Sequence, residues 1–489
     1  MQAINRRTLT LAGLGLAGTG LLGTRPGGGQ SARAATPPRP APTATTTAAA
    51  PVHRVRLSAT VADVDLGGRT VRTWVYDGRL PGREIRLPVG SILVADIANH
   101  LPEATSLHWH GIATPLAMDG APPVTPAAPA GTSFTHHFMV PDPGTYWFHS
   151  HVGLQRDRGL YAPLVVEDPD EPLGYDEDWV VVLDDWLDGV TGTPEQALAA
   201  MHAGDRPRPE SDAFVLRGAS SPLLGGTAGE VKYPHYLVDG RLPTAPRTYR
   251  SKPGRRVRLR LVNAGADTAF RVALGGHRLT LTHTDGFPVA HEQVDAVLLT
   301  PGERYDVLVT LESGVFPLVA LAEGRNGSGM ALVRTATGTA PGPTVRPAEL
   351  NGRVLAATAL RAAEGAALEP RRPDVVHRVE LTGSSVKHDW GFNGHQFDMH
   401  HPDEHAFHVR AGQRVRLDFV NTTKIWHPIH LHGHTYQIGR SGPRKDTVMV
   451  LPGQKVSCAF DADNPGRWML HCHNLYHEAG MMSLVDYDS

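Results

Sequence analysis

Cysteine is scarce in this chain, which has only two among its 489 residues, Cys458 and Cys472. If Cys472 binds a metal, no disulfide can form within the chain. Cys458 lies in an alternating segment, 455–460, that is typical of a strand, and we interpret it as a small buried residue. The cysteines alone therefore do not indicate the compartment in which the protein works.

Excess charge is also missing, since the formal net charge is −2. A nucleic acid or an anionic membrane surface as partner would require a surplus of Lys and Arg, so we expect neither. Amphipathic helical stretches are few, whereas Gly (52) and Pro (40) are abundant. This balance favours many short strands joined by turns. The length exceeds what one hydrophobic core serves and predicts two to four domains.

A long apolar run is lacking too, except for a short one near the start. Arg6 and Arg7 precede an apolar, Gly-rich segment, 9–23, and an Ala-x-Ala-like site at 31–35. This order is typical of a twin-arginine signal peptide, which we place at 1–35. The alternative, an uncleaved membrane anchor, is disfavoured because the run is short and glycine-rich. We therefore expect a soluble, exported protein that is periplasmic, attached to the cell surface or extracellular, with a disordered Pro/Ala/Thr-rich linker at 36–51.

Period-two segments separated by turn residues dominate the rest of the chain. Turns at intervals of about 8–12 residues predict β-sandwiches. We therefore predict an all-β protein with three domains in tandem, at 52–170, 178–340 and 375–489, and a Pro/Ala/Arg-rich connection at 341–374. Within the second domain, 191–218 is predicted to be a mobile loop with one short helical stretch at 194–202. The histidines of this domain show no regular spacing, so it is predicted to carry no metal ligands.

Two His-x-His pairs occur in the first domain, at His108 and His110 and at His149 and His151. Residues i and i+2 of a strand share one face, with alpha carbons about 6.6 Å apart. Each pair can therefore offer imidazoles to adjacent metal ions. One such pair is weak evidence, but two in one domain, each at the end of a strand, indicate a metal centre.

The most informative segment is His471-Cys472-His473, which follows a predicted strand near the end of the chain. Neighbouring side chains of a strand point to opposite faces, so Cys472 faces one way and both histidines face the other. Two histidines, a thiolate and a weak axial Met are the ligands of a blue-copper site. Cys472, His477, a Met and one further His would supply that set.

These motifs resemble the four copper-binding motifs of the three-domain multicopper oxidases, the group that includes bacterial laccases and copper-efflux oxidases. The matching segments are 108–111, 146–151, 427–434 and 471–473, in the family's order, and 96–99, 261–265, 301–306 and 463–468 resemble its other signatures. The resemblance covers nearly the whole chain after the linker. It implies three cupredoxin-like Greek-key β-sandwiches and four coppers per chain.

The resemblance also implies which residue holds which copper. A type 1 copper would be held by His427, Cys472 and His477 with an axial Met, and a type 2 copper by His108 and His430. The type 3 pair would be held by His110, His149, His151, His432, His471 and His473. Because most of these ligands come in pairs from two domains, the three-copper cluster is expected between the first and third domains.

The axial Met departs from the usual spacing. The family generally has four residues between the second type 1 His and this Met, whereas His477 and Met481 are separated by three and His477 and Met482 by four. The Gly480-Met481 pair and the strand after it fit the family better if the loop is one residue shorter. We predict Met481 as the axial ligand and keep Met482 as the alternative.

Two carboxylates also match positions of the family. Asp119 follows His108 by eleven residues, and Glu478 directly follows a predicted type 1 ligand. Reduction of dioxygen to water consumes four protons, and buried carboxylates near a cluster can deliver them. The resemblance therefore implies proton-relay roles for both. The alternative for Asp119 is an ordinary turn residue before Gly120.

The resemblance implies an oxidase that takes single electrons from a reducing substrate and reduces dioxygen to water. With only ten Met and no Met-rich segment, the sequence favours phenols and aromatic amines, as in laccases, over cuprous or manganous ion. A non-catalytic copper-binding or scaffold protein is the alternative from another class, and it is disfavoured because every matched ligand is present. A zinc enzyme is disfavoured because zinc sites do not use thioether ligands. We expect a monomer with no nucleic-acid partner and no membrane span.

Overall fold

The period-two segments of the sequence form strands that pair into two large sheets in each of the three domains, and the second domain has a further two-stranded sheet. The computed structural model describes residues 50–203 and 213–488. The predicted signal peptide, most of the linker and part of the predicted mobile loop at 191–218 lie outside these ranges. The described part of the chain confirms the all-β prediction.

The first domain consists of two four-stranded sheets, β2-β1-β4-β6 and β3-β8-β7-β5. Its strands are β1 (Val52–Asp65), β2 (Thr70–Tyr76), β3 (Ile85–Pro88), β4 (Ile92–Asn99), β5 (His108–His110), β6 (Ser133–Met139), β7 (Gly144–His149) and β8 (Tyr161–Glu167). The short edge strand β5 pairs with β7, and His108 lies opposite His149. The pairing therefore brings the two His-x-His motifs side by side.

The second domain has two six-stranded sheets, β12-β9-β14-β19-β16-β17 and β13-β21-β20-β15-β18-β22. Its strands are β9 (Glu177–Trp186), β10 (Ser220–Ser221), β11 (Gly226–Thr227), β12 (His235–Val238), β13 (Thr248–Arg250), β14 (Arg256–Asn263), β15 (Phe270–Leu274), β16 (Leu279–Thr284), β17 (Phe287–Val294), β18 (Ala296–Leu299), β19 (Arg304–Thr310), β20 (Val315–Ala322), β21 (Ser328–Arg334) and β22 (Val354–Leu355). Strand β22 belongs to the predicted connection but pairs with β18. The connection thus extends a sheet of the second domain.

The third domain has a six-stranded and a five-stranded sheet, β24-β23-β26-β31-β28-β29 and β25-β33-β32-β27-β30. Its strands are β23 (Val375–Thr382), β24 (Gly391–Phe392), β25 (Phe407–Val409), β26 (Arg414–Asn421), β27 (His427–Leu431), β28 (Tyr436–Ile438), β29 (Arg444–Lys445), β30 (Thr447–Val450), β31 (Lys455–Asp461), β32 (Arg467–Cys472) and β33 (Met482–Tyr487). The buried Cys458 lies in β31, which agrees with its interpretation as a core residue.

Helices are short in the described residues. Helix α1 (Pro194–His202) begins at Thr193, whose hydroxyl accepts a hydrogen bond from the Gln196 backbone in a capping box. Helix α2 (Leu475–Glu478) is one turn long, and single 3₁₀ turns occur at Leu116–Met118, Gln155–Arg158, Pro222–Leu224, Ala348–Asn351 and Ala357–Ala359. The helical stretch predicted at 194–202 is confirmed. Within the described ranges, no helix has the length and apolarity needed to cross a membrane.

Candidate metal centres

The pairing of β27 with β32 separates the predicted ligands into two groups. Cys472 lies opposite Ile429 and His471 lies opposite His430. Directly opposed residues of an antiparallel pair share a face, and alternate residues of one strand share a face. His427 therefore lies on the face of Cys472, whereas His430 lies on the face of His471. Because His427 and His430 are three positions apart in one strand, their side chains point to opposite faces of the sheet.

A centre with one thiol and two imidazoles forms on the first of these faces. Cys472 Sγ lies 3.6 Å from His427 Nδ1 and 3.7 Å from His477 Nδ1, and the two nitrogens are 3.2 Å apart. All three side chains are buried. One sulfur and two nitrogen donors that are buried and converge on a single point fit a copper ion of the blue type.

The outer nitrogens of both imidazoles have separate partners. His427 Nε2 lies 2.9 Å from the Thr423 hydroxyl, and His477 Nε2 lies 2.5 Å from the carboxylate of Glu230. Such partners fix the ring orientation and leave the Nδ1 lone pair for the metal. Glu230 belongs to the second domain, and no motif in its surroundings pointed to it.

The two candidate axial residues face different surroundings. Met482 lies opposite His471 and packs with Ala121, Met469 and Leu484, which places it away from the thiol. Met481 is fully buried in the core cluster that contains Cys472, and its carbonyl accepts a hydrogen bond from the Cys472 backbone. The register therefore favours Met481 as the neighbour of the thiol centre.

Eight buried imidazoles converge on the opposite face, between the first and third domains. They form three groups, and within each group one nitrogen of every imidazole lies within 4.8 Å of the others. The groups are His108, His110 and His430; His110, His149 and His473; and His151, His432 and His471. One nitrogen each of His108, His110, His149 and His430 is buried with no hydrogen-bond partner among the described residues. Buried nitrogens left unpaired in one place are costly, and bound metal ions would satisfy them.

The opposite ring nitrogens of this cluster are held by neighbouring groups. Backbone carbonyls accept from Nδ1 of His108, His149, His430 and His471 at 2.8 to 3.0 Å. This fixes Nε2 of each ring as the donor to a metal. His110 is reversed, because its Nε2 lies 2.9 Å from the Asp446 carboxylate and its Nδ1 is the unpaired atom.

Burial keeps the cluster imidazoles neutral. Desolvation lowers the pKa of His432 to about 3, and it lowers the pKa of five others well below the ordinary value, namely His110, His149, His151, His471 and His473. Nearby imidazoles lower the pKa of all five further, and a nearby arginine does so for His110, His149, His151 and His473. A neutral imidazole has the free lone pair that metal binding requires. At neutral pH these histidines are therefore ready to bind metal.

An ion pair between two domains holds the reversed histidine. Arg304 of the second domain binds Asp446 of the third through two contacts of 2.8 and 2.6 Å, and both side chains are fully buried. Asp446 contacts His110 through its carboxylate and His430 through its carbonyl. Arg304 also donates to the carbonyl of Thr145 in the first domain. One arginine thus joins all three domains behind the cluster.

Two glycines with positive φ make room for this arrangement. A Cβ on Gly111 (φ 87°) would lie 2.5 Å from both Arg304 and Asp446, and a Cβ on Gly302 (φ 90°) would lie 3.0 Å from the ring of His473. Any larger residue would push the ion pair or the ring aside. None of the predicted ligands lies in the second domain, yet this domain supplies Gly302, Arg304 and Glu230 around them.

The two predicted carboxylates lie at the cluster. Asp119 contacts His432 Nδ1 at 2.9 Å. Burial alone would raise its pKa, but the attraction of His432 and His108 outweighs burial and holds the pKa below its usual range. Glu478 lies 3.3 Å from His151 Nε2, and burial raises its pKa to about 7. Asp119 is therefore an anion at neutral pH, whereas Glu478 can hold or release a proton there.

One further basic residue contacts a predicted ligand. The buried Arg156 donates to the carbonyl of His473 at 2.9 Å, and its guanidinium also touches the imidazole. His434 lies outside these groups. Its Nε2 forms a hydrogen bond with the Tyr487 hydroxyl and its Nδ1 with the backbone carbonyl of His432, so both ring nitrogens are used in packing. The histidines of 398–405 lie in a solvated loop.

Comparison with known proteins bears on the same segments. Family models described as multicopper oxidase match residues 59–171, 177–338 and 370–488. The chain is 49% identical over 435 residues to the multicopper oxidase MmcO of Mycobacterium tuberculosis, covering 87% of this chain and 85% of that protein. It is 27% identical over 493 residues to laccase-2 of Cryptococcus neoformans, covering 84% and 80%. Among solved structures, it is similar to a multi-copper oxidase from Pseudomonas thermotolerans, with a TM-score of 0.70, 27% identity and coverage of 90% and 100%.

Proposed function

Because the chain belongs to the multicopper oxidase family, we propose that its reducing substrates are phenols and aromatic amines, oxidised one electron at a time as in laccases. The protein is a copper-dependent oxidoreductase with dioxygen as acceptor and three cupredoxin-like domains. The observation that supports an oxidase with two linked centres is the alternation along β32, which aims Cys472 at one centre and His471 at the other. The choice of phenols over cuprous ion is supported by the scarcity of Met, with only ten residues in the chain and no Met-rich segment. The motif-based resemblance to the family is confirmed.

The proposed ligand sets follow the two faces. His427, Cys472 and His477 would hold a type 1 copper, and His108 and His430 a type 2 copper. Two groups would hold the type 3 pair, His110 with His149 and His473, and His151 with His432 and His471. The unpaired nitrogens of the cluster and the converging thiol and imidazoles support four coppers per chain.

Copper bound at these positions supplies the electron-transfer and dioxygen chemistry. The chain supplies the path, because Cys472 is covalently continuous with the backbone of both His471 and His473. It also supplies rigidity, since the ligands are buried and their outer nitrogens are hydrogen-bonded. The assignment is tested by the absorption of the copper-loaded protein at about 600 nm, together with a count of four coppers per chain. Colourless copper-loaded protein would contradict it.

Met481 is proposed as the axial ligand of the type 1 copper. We expect Met481→Leu to raise the reduction potential on the order of tens of millivolts, because a thioether stabilises the oxidised ion and an alkyl group does not. Leu conserves the volume, so the fold should be retained. The measurement is a redox titration followed at the thiolate-copper absorption.

Met482→Leu is the matched control for this change. Its side chain packs with Met469 and Leu484 on the other face, so we expect the potential to stay unchanged. If Met482→Leu raised the potential and Met481→Leu did not, the axial assignment would be reversed.

Glu478 is proposed as a proton donor to the cluster. We expect Glu478→Gln to slow dioxygen reduction by about 100-fold, because the amide keeps the shape but cannot release a proton. Transfer of electrons into the type 1 copper should be unaffected. Stopped-flow reoxidation of the fully reduced enzyme by dioxygen measures the affected step directly.

Glu404→Gln, in the exposed loop 398–405, is the control and should leave reoxidation unchanged.

Asp119→Asn is expected to slow the same step as Glu478→Gln, because Asp119 touches His432. Reoxidation of Glu478→Gln at the wild-type rate would exclude the relay role.

The electron donor is tested by comparing steady-state rates on a phenol and on cuprous ion, with and without a copper chelator. Fast oxidation of cuprous ion by an enzyme inert to phenols would favour the second candidate, a cuprous or manganous oxidase. Full copper loading without oxygen uptake would favour a non-catalytic copper-binding protein. The N-terminal motif supports export through the twin-arginine pathway, and fractionation of cells expressing the full chain tests it.

A further inference from the structure

The turn that carries two of the proposed type 1 ligands is anchored to the second domain. This ligand turn, 472–477, begins at Cys472 and ends at His477. Between the two ligands, the Asn474 side chain donates a hydrogen bond of 2.6 Å to Oδ1 of Asp267, and both residues are fully buried. Asp267 lies between β14 and β15 of the second domain. The contact therefore joins the ligand turn to a domain that contains none of the predicted ligands.

The carboxylate of Asp267 is itself held in one orientation. Its Oδ2 accepts hydrogen bonds from the backbone amides of Glu230 and Val231 at 2.9 and 2.8 Å. Arg325 donates to the same oxygen at 2.6 Å and to the Asp267 carbonyl at 2.7 Å. A Cβ on Gly229 (φ 130°) would lie 2.6 Å from Oδ2 and would collide with Arg325, so glycine is required there. Oδ1 is thus presented to Asn474 by a carboxylate that cannot turn away.

Asn474 connects the two ligands of the turn. Its Oδ1 accepts a hydrogen bond of 3.1 Å from the Tyr476 backbone and caps α2. Its carbonyl accepts from the His477 backbone at 3.0 Å. Its backbone amide interacts with the Cys472 thiol and opposes the rise in pKa that burial causes there. Movement of this one residue would therefore disturb both the sulfur and the imidazole.

The same loop of the second domain holds the ligand turn at two further points. The carbonyl of Ala266 accepts a hydrogen bond of 3.0 Å from the Leu475 backbone. Glu230, whose backbone amide is bound by Asp267, contacts His477 Nε2 at 2.5 Å through its carboxylate. Asp267 is therefore connected to both ends of the ligand turn, directly at Asn474 and through Glu230 at His477.

We propose that Asp267 is a positioning residue of the type 1 copper site, because its hydrogen bond to Asn474 fixes the ligand turn and keeps the Asn474 amide at the Cys472 sulfur. The inference rests on the proposed ligand set. Hydrogen bonding at the cysteine sulfur tunes the reduction potential of a blue-copper site. A donor at the sulfur withdraws negative charge that would otherwise stabilise cupric ion, so it raises the potential. The second domain thereby acts on the potential of a copper that it does not bind.

Asn474→Ser tests the contact without changing any charge. Serine retains an oxygen that can cap α2, but its side chain lacks the amide that reaches Asp267. We expect the equilibrium constant for reduction of the type 1 copper to fall about tenfold, the lower limit for loss of a ligand's partner, which corresponds to about 59 mV for one electron. A redox titration of the copper-loaded enzyme, followed at the thiolate-copper absorption, measures this change.

Asn464→Ser is the matched control. Asn464 is also an asparagine of the third domain whose side-chain amide donates across a domain boundary, to the carbonyl of Thr114 at 3.1 Å. Its second acceptor is the carbonyl of Gly433, which is not part of the ligand turn. The change should weaken the contact between the first and third domains and leave the potential of the type 1 copper unchanged.

A double-mutant cycle with Asp267→Asn assigns the effect to Asp267. Asparagine offers one acceptor oxygen in place of two, and we expect the backbone amides of Glu230 and Val231 to retain it. In this background, Asn474→Ser should change the equilibrium constant less than about twofold, because Asn474 has already lost its partner. The loss of charge is common to both members of this comparison and cancels. Asn474→Ser alone keeps the ion pair of Asp267 with Arg325, so its result decides if Asp267→Asn does not fold.

The outcomes separate this inference from the function on which it rests. A wild-type potential in Asn474→Ser would overturn the positioning role. An undiminished effect of Asn474→Ser in the Asp267→Asn background would show that Asn474 acts without Asp267. An equal shift in Asn464→Ser would reduce the effect to a general loosening of the domains and would also overturn the proposal. Absence of the thiolate-copper absorption from the loaded wild-type enzyme would instead refute the type 1 site itself.

Discussion

Replacing Cys472 with Ser is expected to abolish both the absorption at about 600 nm and the oxidation of every substrate. The hydroxyl is a poor ligand for copper, and the shortest covalent path between the two centres, through Cys472 to its neighbours His471 and His473, then begins at an empty site. Because loss of a mere ligand partner costs about 10–100-fold, loss of this ligand should reduce kcat/KM by at least 100-fold. Absorption spectra, copper counts and oxygen uptake measure the change. The eight imidazoles of the cluster are untouched, so three coppers should remain.

Cys458→Ser is the matched control for this change. Both cysteines are buried, but Cys458 lies in β31 and touches neither centre. A hydroxyl placed in the core without a partner should cost about 1–3 kcal/mol of unfolding free energy. The colour and the turnover should remain. Retained colour and oxygen uptake in Cys472→Ser would refute the assignment of both centres.

Removing the carboxylate of Asp446 is the second change with a large expected effect. Asp446→Ala takes the partner from His110 Nε2 and leaves the buried Arg304 with only Asp285, 3.7 Å away, as a counter-ion. Breaking a buried ion pair on one side costs about 3–5 kcal/mol of stability. Loss of the ligand's partner should weaken copper binding at the cluster about 10–100-fold. Oxygen uptake should fall accordingly, while the absorption of the type 1 copper is retained.

The retained blue absorption distinguishes a local effect from unfolding, because the proposed type 1 ligands His427 and Cys472 lie on the other face of β27 and β32. The expected losses are the near-ultraviolet absorption of the type 3 pair and part of the copper count. Asp446→Asn, which keeps an acceptor for His110, should recover part of both. A cluster that stays fully loaded in Asp446→Ala would show that the ion pair does not position His110.

Arg304→Met tests whether the second domain acts through this pair. We expect it to destabilise the protein as Asp446→Ala does, since either change removes one side of the same buried ion pair. The double variant Arg304→Met with Asp446→Leu removes both charges, so its loss of unfolding free energy should be smaller than the sum of the two single losses. Copper content should still fall, because His110 has lost its partner. Additive losses would contradict the coupling of the two residues.

Local spacing was sufficient to predict most of the architecture. Strand alternation is a property of the backbone, so the period-two segments predicted the sheets, and the His-x-His pairs predicted side chains on one face. The same rule predicted that Cys472 and His471 diverge, and the pairing of β27 with β32 has that geometry. The helix predicted at 194–202 forms, and the structure shows that Thr193 caps it immediately before Pro194.

Contacts between residues far apart in the chain could not be predicted from the sequence. Glu230 lies 247 residues from His477, and Arg304 lies 142 residues from Asp446. No local period marks such pairs, because a buried charge is placed by the packing of whole domains and not by its neighbours in the chain. Arg304 lies in a segment, 301–306, that resembles a family signature. Its sequence does not indicate that it forms an ion pair with Asp446.

The sequence by itself determined that this chain folds into strands, carries two sets of ligands and sends the thiol and its flanking imidazole in opposite directions. Only the tertiary structure decided which Met lies beside the thiol, which ring nitrogen of His110 is free, and that the domain without ligands holds the ligands of the other two. The reason is physical. Which face a strand residue occupies depends on its own backbone, whereas the partner of a buried polar group depends on what the folded domains bring to it.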